Sequence, residues 1–241
     1  MSSQRVISFI IPAYNEELEL PETLRAIEQS AAAVTLKYEI IVVDDASTDK
    51  TTEIARQAGA QVVPINRRQI AASRNAGARH AKGDILFFVD ADTRIAPAHV
   101  SKAIEVLEQG YAGGSARMLT DGKVPWFGGL LIRIFAAIYF ANNLGAGAFL
   151  FTTRRNFEAV GGFDEKYFAG EEVLMSLALK KIGPFKIIPD PMVTSGRKLR
   201  MHSGRHLGRQ FVRMLLGGMK SYHSRDRLDI WYDGKRETRI G

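Results

Sequence analysis

The sequence predicts an α/β fold, in which helices flank a mostly parallel central sheet within a single domain. Short apolar runs alternate with stretches of helical periodicity through the first half of the chain, as expected for strands joined by crossover helices. The chain has 241 residues, of which 46% are hydrophobic, and this suits one sizeable buried core. No linker rich in Pro, Ser and Gly separates the halves, so we expect one domain.

Four apolar runs are predicted as the main strands, and a shorter fifth strand is expected later in the chain. They span Val6 to Ile11, Glu39 to Val43, Gln61 to Ile65, Ile85 to Val89 and Phe185 to Ile188. The first four are almost continuously apolar, which indicates burial on both faces of a parallel sheet.

Apolar periodicity and end signals place helices between the strands. Pro21 suits the first turn of a helix from Leu20 to Ala31. Ser47 suits the N-cap of the next helix, which Gly59 would end. Further helices are predicted over Ile70 to Lys82, Pro97 to Gln109 and Glu171 to Ile182, with a basic helix near His206 to Lys220.

Positive charge is concentrated at the C-terminal end of the chain. Residues 194–241 carry 12 Lys and Arg against 4 Asp and Glu, whereas the whole chain carries 33 and 26. A basic end indicates a partner that presents phosphate, nucleic acid or an anionic membrane surface, although a solvated helix face with a polar tail has the same composition. Because no recognisable nucleic-acid module accompanies it, no nucleic-acid partner is expected.

The cysteine count and the first residues bound the cellular setting. The chain contains no cysteine, which excludes disulfides and thiolate metal sites and leaves oxygen ligands as the natural choice for a metal. Its first residues pass directly into an apolar strand, without the regions of a secretory leader. We therefore expect a cytoplasmic protein.

Polar segments follow three of the four main strands, and they form the candidate site because ligands of open parallel sheets bind outside the carboxyl ends of the strands. The segments are Pro12 to Glu16, Asp44 to Asp49 and Asp90 to Asp92. Asp90 and Asp92 lie two residues apart, which lets both carboxylates face a shared Mg²⁺ or Mn²⁺. The alternative is that they cap the helix that begins at Pro97.

Asp44, Asp45 and Arg74 are further candidates, each with two interpretations. The two aspartates could hold the polar edge of a nucleoside, or they could cap a helix. Arg74 could bind phosphate oxygens through its guanidinium fork, or it could lie solvated at the surface.

Together, five ordered motifs resemble those of the family 2 glycosyltransferases, over roughly residues 6 to 190. The motifs are Ile11 to Glu16, Val43 to Asp49, Ser73 to Gly77, Gly83-Asp84 leading to Asp90-Ala91-Asp92, and Gly161 to Glu165 followed by Gly170-Glu171-Glu172. Each motif is common alone, whereas five in order are specific. The resemblance implies the GT-A fold, a Rossmann-like sheet, and transfer of a sugar from a nucleotide diphosphate donor with inversion at the anomeric carbon.

The resemblance also implies roles for individual residues. Asp45 would hold the nucleobase, and Arg74 would lie near the base or the diphosphate. The other donor-binding residues that it implies are Pro12, Ala13, Tyr14, Glu16, Asp44, Asp90 and Ala91. Asp92 would be the main protein ligand of the metal, supported by Asp90.

Glu172 aligns with the catalytic base of the family, but the family usually has Glu-Asp where this chain has Glu171-Glu172. The extra methylene moves the carboxylate by about one bond length, and proton transfer requires hydrogen-bond reach. Glu171 is therefore a rival for the role. Both residues could instead be exposed acids that stabilise the start of a helix.

Three parts of the domain are expected to differ in role. Residues 1–118 would form the nucleotide-sugar half, residues 119–193 the acceptor-side half, and residues 194–241 a basic helix and tail. Arg197, Lys198 and Arg200 could close over the donor phosphates, and His202 or His206 could add a metal ligand. The sequence lacks the Gln-x-x-Arg-Trp signature of the processive synthases of this family, which favours addition of a single sugar.

The apolar segment from Trp126 to Tyr139 is too short to span a bilayer. It has 14 residues and contains Arg133, whereas a spanning helix needs about 20 apolar residues. We expect it to cover a pocket, or to lie at a membrane interface near a lipid-linked acceptor, with the basic end contacting anionic lipid.

Two other functions fit parts of the pattern. A nucleotidyltransferase also combines an α/β sheet with metal-binding aspartates, but it would carry a Gly-rich basic loop where this chain has Pro12 to Glu16. A non-catalytic protein could bind nucleotide or membrane through the basic end while the sheet serves as a scaffold.

Overall fold

The computed structural model describes residues 5–121, 144–145, 147–197 and 201. The strands are β1 Val6–Ala13, β2 Lys37–Asp45, β3 Gln61–Ile65, β4 Ile85–Val89, β5 Thr93–Arg94, β6 Gly113–Thr120, β7 Phe149–Thr153 and β8 Phe185–Thr194. The helices are α1 Leu20–Ala32, α2 Thr51–Gln57, α3 Ile70–His80, α4 Pro97–Glu108, α5 Arg154–Ala159 and α6 Glu171–Lys180.

All eight strands belong to one sheet, in the order β3-β2-β1-β4-β7-β6-β8-β5. β3, β2, β1 and β4 are parallel to one another, and β6 is parallel to β8. β7 is antiparallel to both β4 and β6, and β5 is antiparallel to the end of β8. The predicted mostly parallel sheet in a single domain is confirmed. β6 spans Gly113–Thr120 and therefore crosses residue 118, the predicted boundary between the two halves of the domain.

Apolar side chains pack on both faces of the sheet, as the continuous apolar strands predicted. On one face, the rings of Phe9 and Phe87 stack 5.1 Å apart in a core that includes residues of α1 and α4. On the other face, Phe88 meets the ring of Phe163 edge-on in a core that includes residues of α3 and α6. Gly77 allows α3 to lie directly on β1, because an added Cβ would overlap the side chain of Ile10.

The prediction that Ser47 caps α2 is wrong. α2 begins at Thr51 after Lys50, and the Ser47 hydroxyl accepts a hydrogen bond from the backbone N–H of Asn15 instead, at 3.0 Å. The cause lies one residue earlier, where Ala46 adopts a left-handed conformation with φ 61° and turns the chain away from a helix. The residue that meets the first turn of α2 is Asp49, whose carboxylate accepts from Thr51 N–H at 2.9 Å.

Three strands and one helix were missing from the sequence prediction. β6 begins with two glycines, which are unfavourable within strands, and β7 is the end of a long apolar stretch that shows no alternation. β5 has only two residues, and α5 has six. β8 extends to Thr194, six residues beyond its predicted end, because it pairs along the length of β6.

Several predictions fall outside the described residues. They concern Trp126 to Tyr139, Lys198, Arg200, His202 and the basic helix near His206 to Lys220. Among the helices that are described, none combines the length and the apolar character that crossing a bilayer requires.

Replacing Ala46 by glycine should stabilise the fold or leave its stability unchanged. A left-handed conformation costs an alanine about 1–2 kcal/mol, whereas glycine costs about 0.4–1 kcal/mol through the freedom it gives the unfolded chain. The control is Ala26→Gly within α1, which should lose about 1 kcal/mol. Urea unfolding of both variants gives their free energies of unfolding and so tests the conformation of Ala46. An equal loss of free energy of unfolding in both variants would contradict the left-handed conformation.

Candidate active site

The candidate site lies where the strand order reverses. The chain proceeds from β1 outward to β2 and β3, and then returns to place β4 on the other side of β1. In open parallel sheets this reversal opens a crevice at the carboxyl ends of the strands. The segments after β1, β2 and β4 share that edge, since these strands are parallel neighbours.

The segments after β1 and β2 are joined into one hydrogen-bonded unit. Asn15, which has φ 52°, accepts from Thr48 N–H through its side-chain oxygen at 2.7 Å. The backbone N–H of Glu16 donates to the hydroxyl of Thr51 at 2.7 Å, and Asn15 N–H donates to Ser47. Much of the polarity that marked these two motifs therefore serves to hold their loops together.

Asp45 is buried and fixes the turn that leads from β3 into α3. One carboxylate oxygen accepts from the backbone N–H groups of Arg67 and Arg68 at 2.7 and 2.8 Å. The other accepts from Gln69 N–H at 2.9 Å and from the Ser73 hydroxyl at 3.2 Å. Asp45 does not cap α2, the helix that follows it.

The turn fixed by Asp45 brings Arg68 onto the face of Tyr14. The guanidinium carbon of Arg68 lies 3.2 Å from the centre of the Tyr14 ring, a cation–π arrangement. Arg68 itself has φ 50°. Next to this turn, Asp44 accepts from Ser47 N–H at 3.0 Å and from the Thr52 hydroxyl. The carboxylates of Asp44 and Asp45 therefore both accept hydrogen bonds from within the protein.

Asp90 and Asp92 do not cap α4, so that alternative is wrong. α4 is preceded by Ala96, whose backbone N–H donates to His99 Nδ1 at 2.8 Å. Asp90 pairs with Arg74 at 2.8 Å. Asp92 accepts from the Thr194 hydroxyl at 3.3 Å.

Arg74 is buried, with a side chain only 1% exposed, so its interpretation as a solvated surface residue is wrong. Its guanidinium donates to Glu171 at 2.7 Å, to Asp90 at 2.8 Å and to the carbonyl of Gly147 at 2.8 Å. Burial on its own lowers the pKa of Arg74, but Asp90, Glu171 and Glu172 outweigh it, and the pKa lies above its ordinary value. The guanidinium is therefore a permanent cation at the centre of an acidic cluster.

The two glutamates at the start of α6 have different surroundings. Gly170, at φ 74°, precedes the helix, and Glu171 is 3% exposed and paired with Arg74, so it is not an exposed acid. Glu172 is half-buried. Burial raises the pKa of Glu172 from its ordinary 4.5 to about 8, Glu171 adds to the rise, and Arg74 opposes it.

Gly147 provides room beside this cluster. An added Cβ would lie 3.2 Å from a guanidinium nitrogen of Arg74 and 3.5 Å from the carboxyl carbon of Glu172. The sequence prediction missed Gly147, because a glycine within an apolar stretch gives no signal of a neighbouring carboxylate. Asn75 belongs to the motif from Ser73 to Gly77, but its role was not predicted: its side chain accepts from Phe163 N–H at 2.9 Å and donates to Phe163 O at 2.8 Å.

Arg197 follows β8 and is buried. It pairs with Glu16 at the end of β1 and lies 3.4 Å from Asp92. Burial on its own lowers the pKa of Arg197, but Glu16 and Asp92 outweigh it, so the pKa is raised. Asp121 fixes the backbone beside it by accepting from Gly196 N–H at 2.8 Å.

The acidic residues at the end of β4 fit one kind of metal site. Within residues 5–121, 144–145, 147–197 and 201, no three acidic or histidine side chains are close enough to hold a metal by themselves. Asp90 and Asp92 supply hard carboxylate oxygens, which suit Mg²⁺ bound by one or two carboxylates together with substrate phosphates.

Comparison with known proteins identifies the family. The model of the family described as "Glycosyl transferase family 2" matches residues 8–157, more than half of the chain. The chain belongs to this family. The match includes the segments after β1, β2 and β4, and it ends before α6 and its two glutamates.

One similar protein has undecaprenyl phosphate in its name. It is the undecaprenyl-phosphate 4-deoxy-4-formamido-L-arabinose transferase of Edwardsiella ictaluri, which is 35% identical over 130 residues. The match covers 50% of this family 2 chain and 39% of the relative. Less than half of that transferase is therefore represented in the similarity.

Two solved structures share the fold. Glucosyl-3-phosphoglycerate synthase from Mycobacterium tuberculosis, with Mn²⁺ and UDP-glucose, has a TM-score of 0.64 and 20% identity, covering 88% of this chain and 78% of that one. A mannosyltransferase from Pyrobaculum calidifontis, with GDP-Man and Mn²⁺, has a TM-score of 0.60 and 22% identity, covering 89% and 65%. The predicted GT-A fold is confirmed.

Proposed function

We propose that this protein is an inverting glycosyltransferase that moves a single sugar from a nucleotide diphosphate donor to an acceptor. The observation that carries the proposal is the acidic cluster around Arg74, which joins the end of β4 to the helix that bears Glu172. It brings a candidate metal-binding edge and a candidate base to the same crevice. Membership of family 2 favours glycosyl transfer over nucleotidyl transfer.

We assign donor binding to the ends of β1, β2 and β4. The residues are Pro12, Ala13, Tyr14, Glu16, Asp44, Asp45, Asp90 and Ala91, as the resemblance implied. Asp45 already accepts four hydrogen bonds, so we propose that it acts mainly by fixing Arg68 beside Tyr14. That pair supplies an aromatic face and a cation for a nucleobase.

We assign metal binding to Asp92, supported by Asp90, with Mg²⁺ or Mn²⁺ as the ion. Such an ion supplies positive charge that stabilises a departing diphosphate. Arg197 is paired with Glu16 and lies near Asp92, and this position next to the proposed metal ligand supports its assignment to the donor phosphates. Lys198, Arg200 and His202 belong to the same proposal but lie outside the described residues.

We assign the role of general base to Glu172 rather than Glu171. Glu171 is committed to Arg74 and is almost fully buried, whereas Glu172 is half-buried and faces Gly147. The Glu172 carboxylate would take the proton of the acceptor hydroxyl while the hydroxyl oxygen attacks the anomeric carbon. The bond from that carbon to the diphosphate breaks on the opposite face, and the configuration inverts.

A thermal-shift panel tests the donor assignment. UDP, GDP, dTDP and ADP are compared with and without Mn²⁺, and the matching nucleotide should stabilise the fold by about 2.7 kcal/mol at a hundredfold excess over its Kd. Asp92→Asn should remove the Mn²⁺-dependent part of the shift. A protein that responds to none of the diphosphates, or identically with and without Mn²⁺, does not bind donor as proposed.

The rate should depend on Glu172 and on pH. A base must be deprotonated to accept a proton, so hydrolysis of the best nucleotide sugar should increase as the pH rises through about 8, the pKa of Glu172, and level off above it. Glu172→Gln should lower the rate about 10²- to 10⁴-fold and remove this rise, with donor binding retained. Near-full turnover by Glu172→Gln would show that Glu172 is not the base.

The Glu172→Gln variant also distinguishes a hydroxyl acceptor from a phosphate acceptor. A phosphate monoester has a second pKa of about 6, so the phosphate of a polyprenyl carrier is already ionised at pH 8 and needs no base. Because we assign to Glu172 the removal of a proton, we propose an acceptor hydroxyl, carried on a lipid or close to the cytoplasmic face of a membrane.

With undecaprenyl phosphate as acceptor, transfer by the wild type should be no faster than hydrolysis. Transfer to undecaprenyl phosphate that survives Glu172→Gln would instead establish the lipid phosphate as the acceptor. Flotation with anionic liposomes tests membrane contact by residues 194–241, and neutral liposomes provide the control. Protein that stays at the bottom of both gradients does not make that contact.

A further inference from the structure

We propose that Arg74 is a positioning residue, which holds the helix of the catalytic base in register with the end of β4. The inference rests on the proposed function, since it gives Arg74 a part in the same reaction. It replaces the expectation that Arg74 binds donor phosphates, and it assigns to Arg74 no contact with the reacting atoms.

Arg74 reaches three segments that are distant in sequence. It is the fifth residue of α3, a helix fixed against β1 by the close approach at Gly77. Asp90, Gly147 and Glu171 are 16, 73 and 97 residues away. All three contacts are 2.7 to 2.8 Å long, so one rigid guanidinium sets the spacing between the end of β4, the segment before β7 and the start of α6.

The planar guanidinium is suited to this task. It presents donors in a fixed fork, whereas a lysine ammonium is a point charge on a flexible stem. One terminal nitrogen donates to Glu171, and the other donates to both Asp90 and Gly147. A lysine at position 74 could keep the charge, but it could not keep this division of contacts.

Glu172 depends on the same arrangement because it is adjacent to Glu171. The pairing of Glu171 with Arg74 fixes the first turn of α6, and Gly147, which accepts from Arg74, lies beside the carboxyl group of Glu172. Loss of Arg74 would leave the buried Glu171 carboxylate without its cation, and the first turn of α6 would lose the contact that fixes it. A displacement of about 1 Å in a catalytic group can cost about 10²-fold in rate.

The test compares Arg74→Gln and Arg74→Lys with Arg154→Gln. Arg154 is the matched control, because it is a partly buried arginine that donates to the carbonyls of Gly83, Ala78 and Ala81 and does not contact Asp90 or either glutamate. Hydrolysis of UDP-glucose, UDP-GlcNAc and GDP-Man is first measured with Mn²⁺ for the wild type. The variants are then compared on the nucleotide sugar that the wild type hydrolyses fastest.

Arg74→Gln should lower kcat about 10²-fold and change KM for the donor less than about threefold. Since Arg74 opposes the rise in the pKa of Glu172, the inflection in the pH profile should move above 8. Arg74→Lys should restore part of kcat and return the inflection toward 8. Arg154→Gln should lose stability and keep both kcat and the inflection.

Two results would overturn the inference. One is a wild-type kcat in Arg74→Gln, and the other is a loss confined to donor KM and Kd, which would make Arg74 a donor ligand. If circular dichroism shows that Arg74→Gln does not fold, Arg74→Lys and the isosteric Glu171→Gln are measured in its place. A wild-type kcat in both of these variants would reject the positioning role. Failure of the proposed function has a different signature, namely a wild type that turns over no nucleotide sugar or a Glu172→Gln that is fully active.

Discussion

The carboxyl-terminal edge of the sheet depends on the charge balance around one buried guanidinium. Arg74 is enclosed by side chains from β4 and α6 and by the carbonyl of Gly147. Burying a charge without a partner is costly, and removing one partner of a buried pair typically costs about 3–5 kcal/mol. Asp90, Glu171 and Arg74 therefore tolerate little independent movement, and the segments that carry them are locked together.

A second buried arginine organises the other side of the crevice. Arg197 pairs with Glu16 and lies near Asp92, so it links the segment after β8 to the ends of β1 and β4. The two arginines divide the acidic side chains between them: Arg74 pairs with Asp90 and Glu171, and Arg197 pairs with Glu16 and lies near Asp92. The crevice thus contains two buried arginines, each paired with acidic side chains.

The sequence motifs have structural and chemical roles that a pattern alone does not separate. Asn15, Ser47 and Thr48 bond the segments after β1 and β2 to each other, and Asp45 supports the turn before α3. These residues shape the crevice by fixing the backbone of the loops around it.

The parallel part of the fold was predictable because its strands are buried on both faces. A continuous apolar run is the direct consequence of that burial, and β1 to β4 were found on this basis. β6 and β7 escaped prediction, because glycines and an unpunctuated apolar stretch become strands only through pairing with neighbours. Local pattern cannot report such pairing.

The candidate site was also predictable only in part. Asp90 and Asp92 were found as candidates because acids that follow a strand are visible in the sequence, and the two glutamates were found through the family resemblance. The distinct surroundings of Glu171 and Glu172 were not predictable, because they arise from Arg74, which is 97 residues from Glu171. The burial of Arg74 itself follows from the packing of α3 against the sheet.

The environment of Glu172 also couples folding to proton uptake. Its pKa is about 8 in the folded protein and 4.5 for an ordinary glutamate, so between these values the folded chain binds more protons than the unfolded chain. Stability from this group is therefore fully present below about pH 4.5, declines as the pH rises through the interval, and is lost above about pH 8. The surroundings of Glu172, which we propose as the base, therefore lower the thermodynamic stability of the protein in alkaline solution.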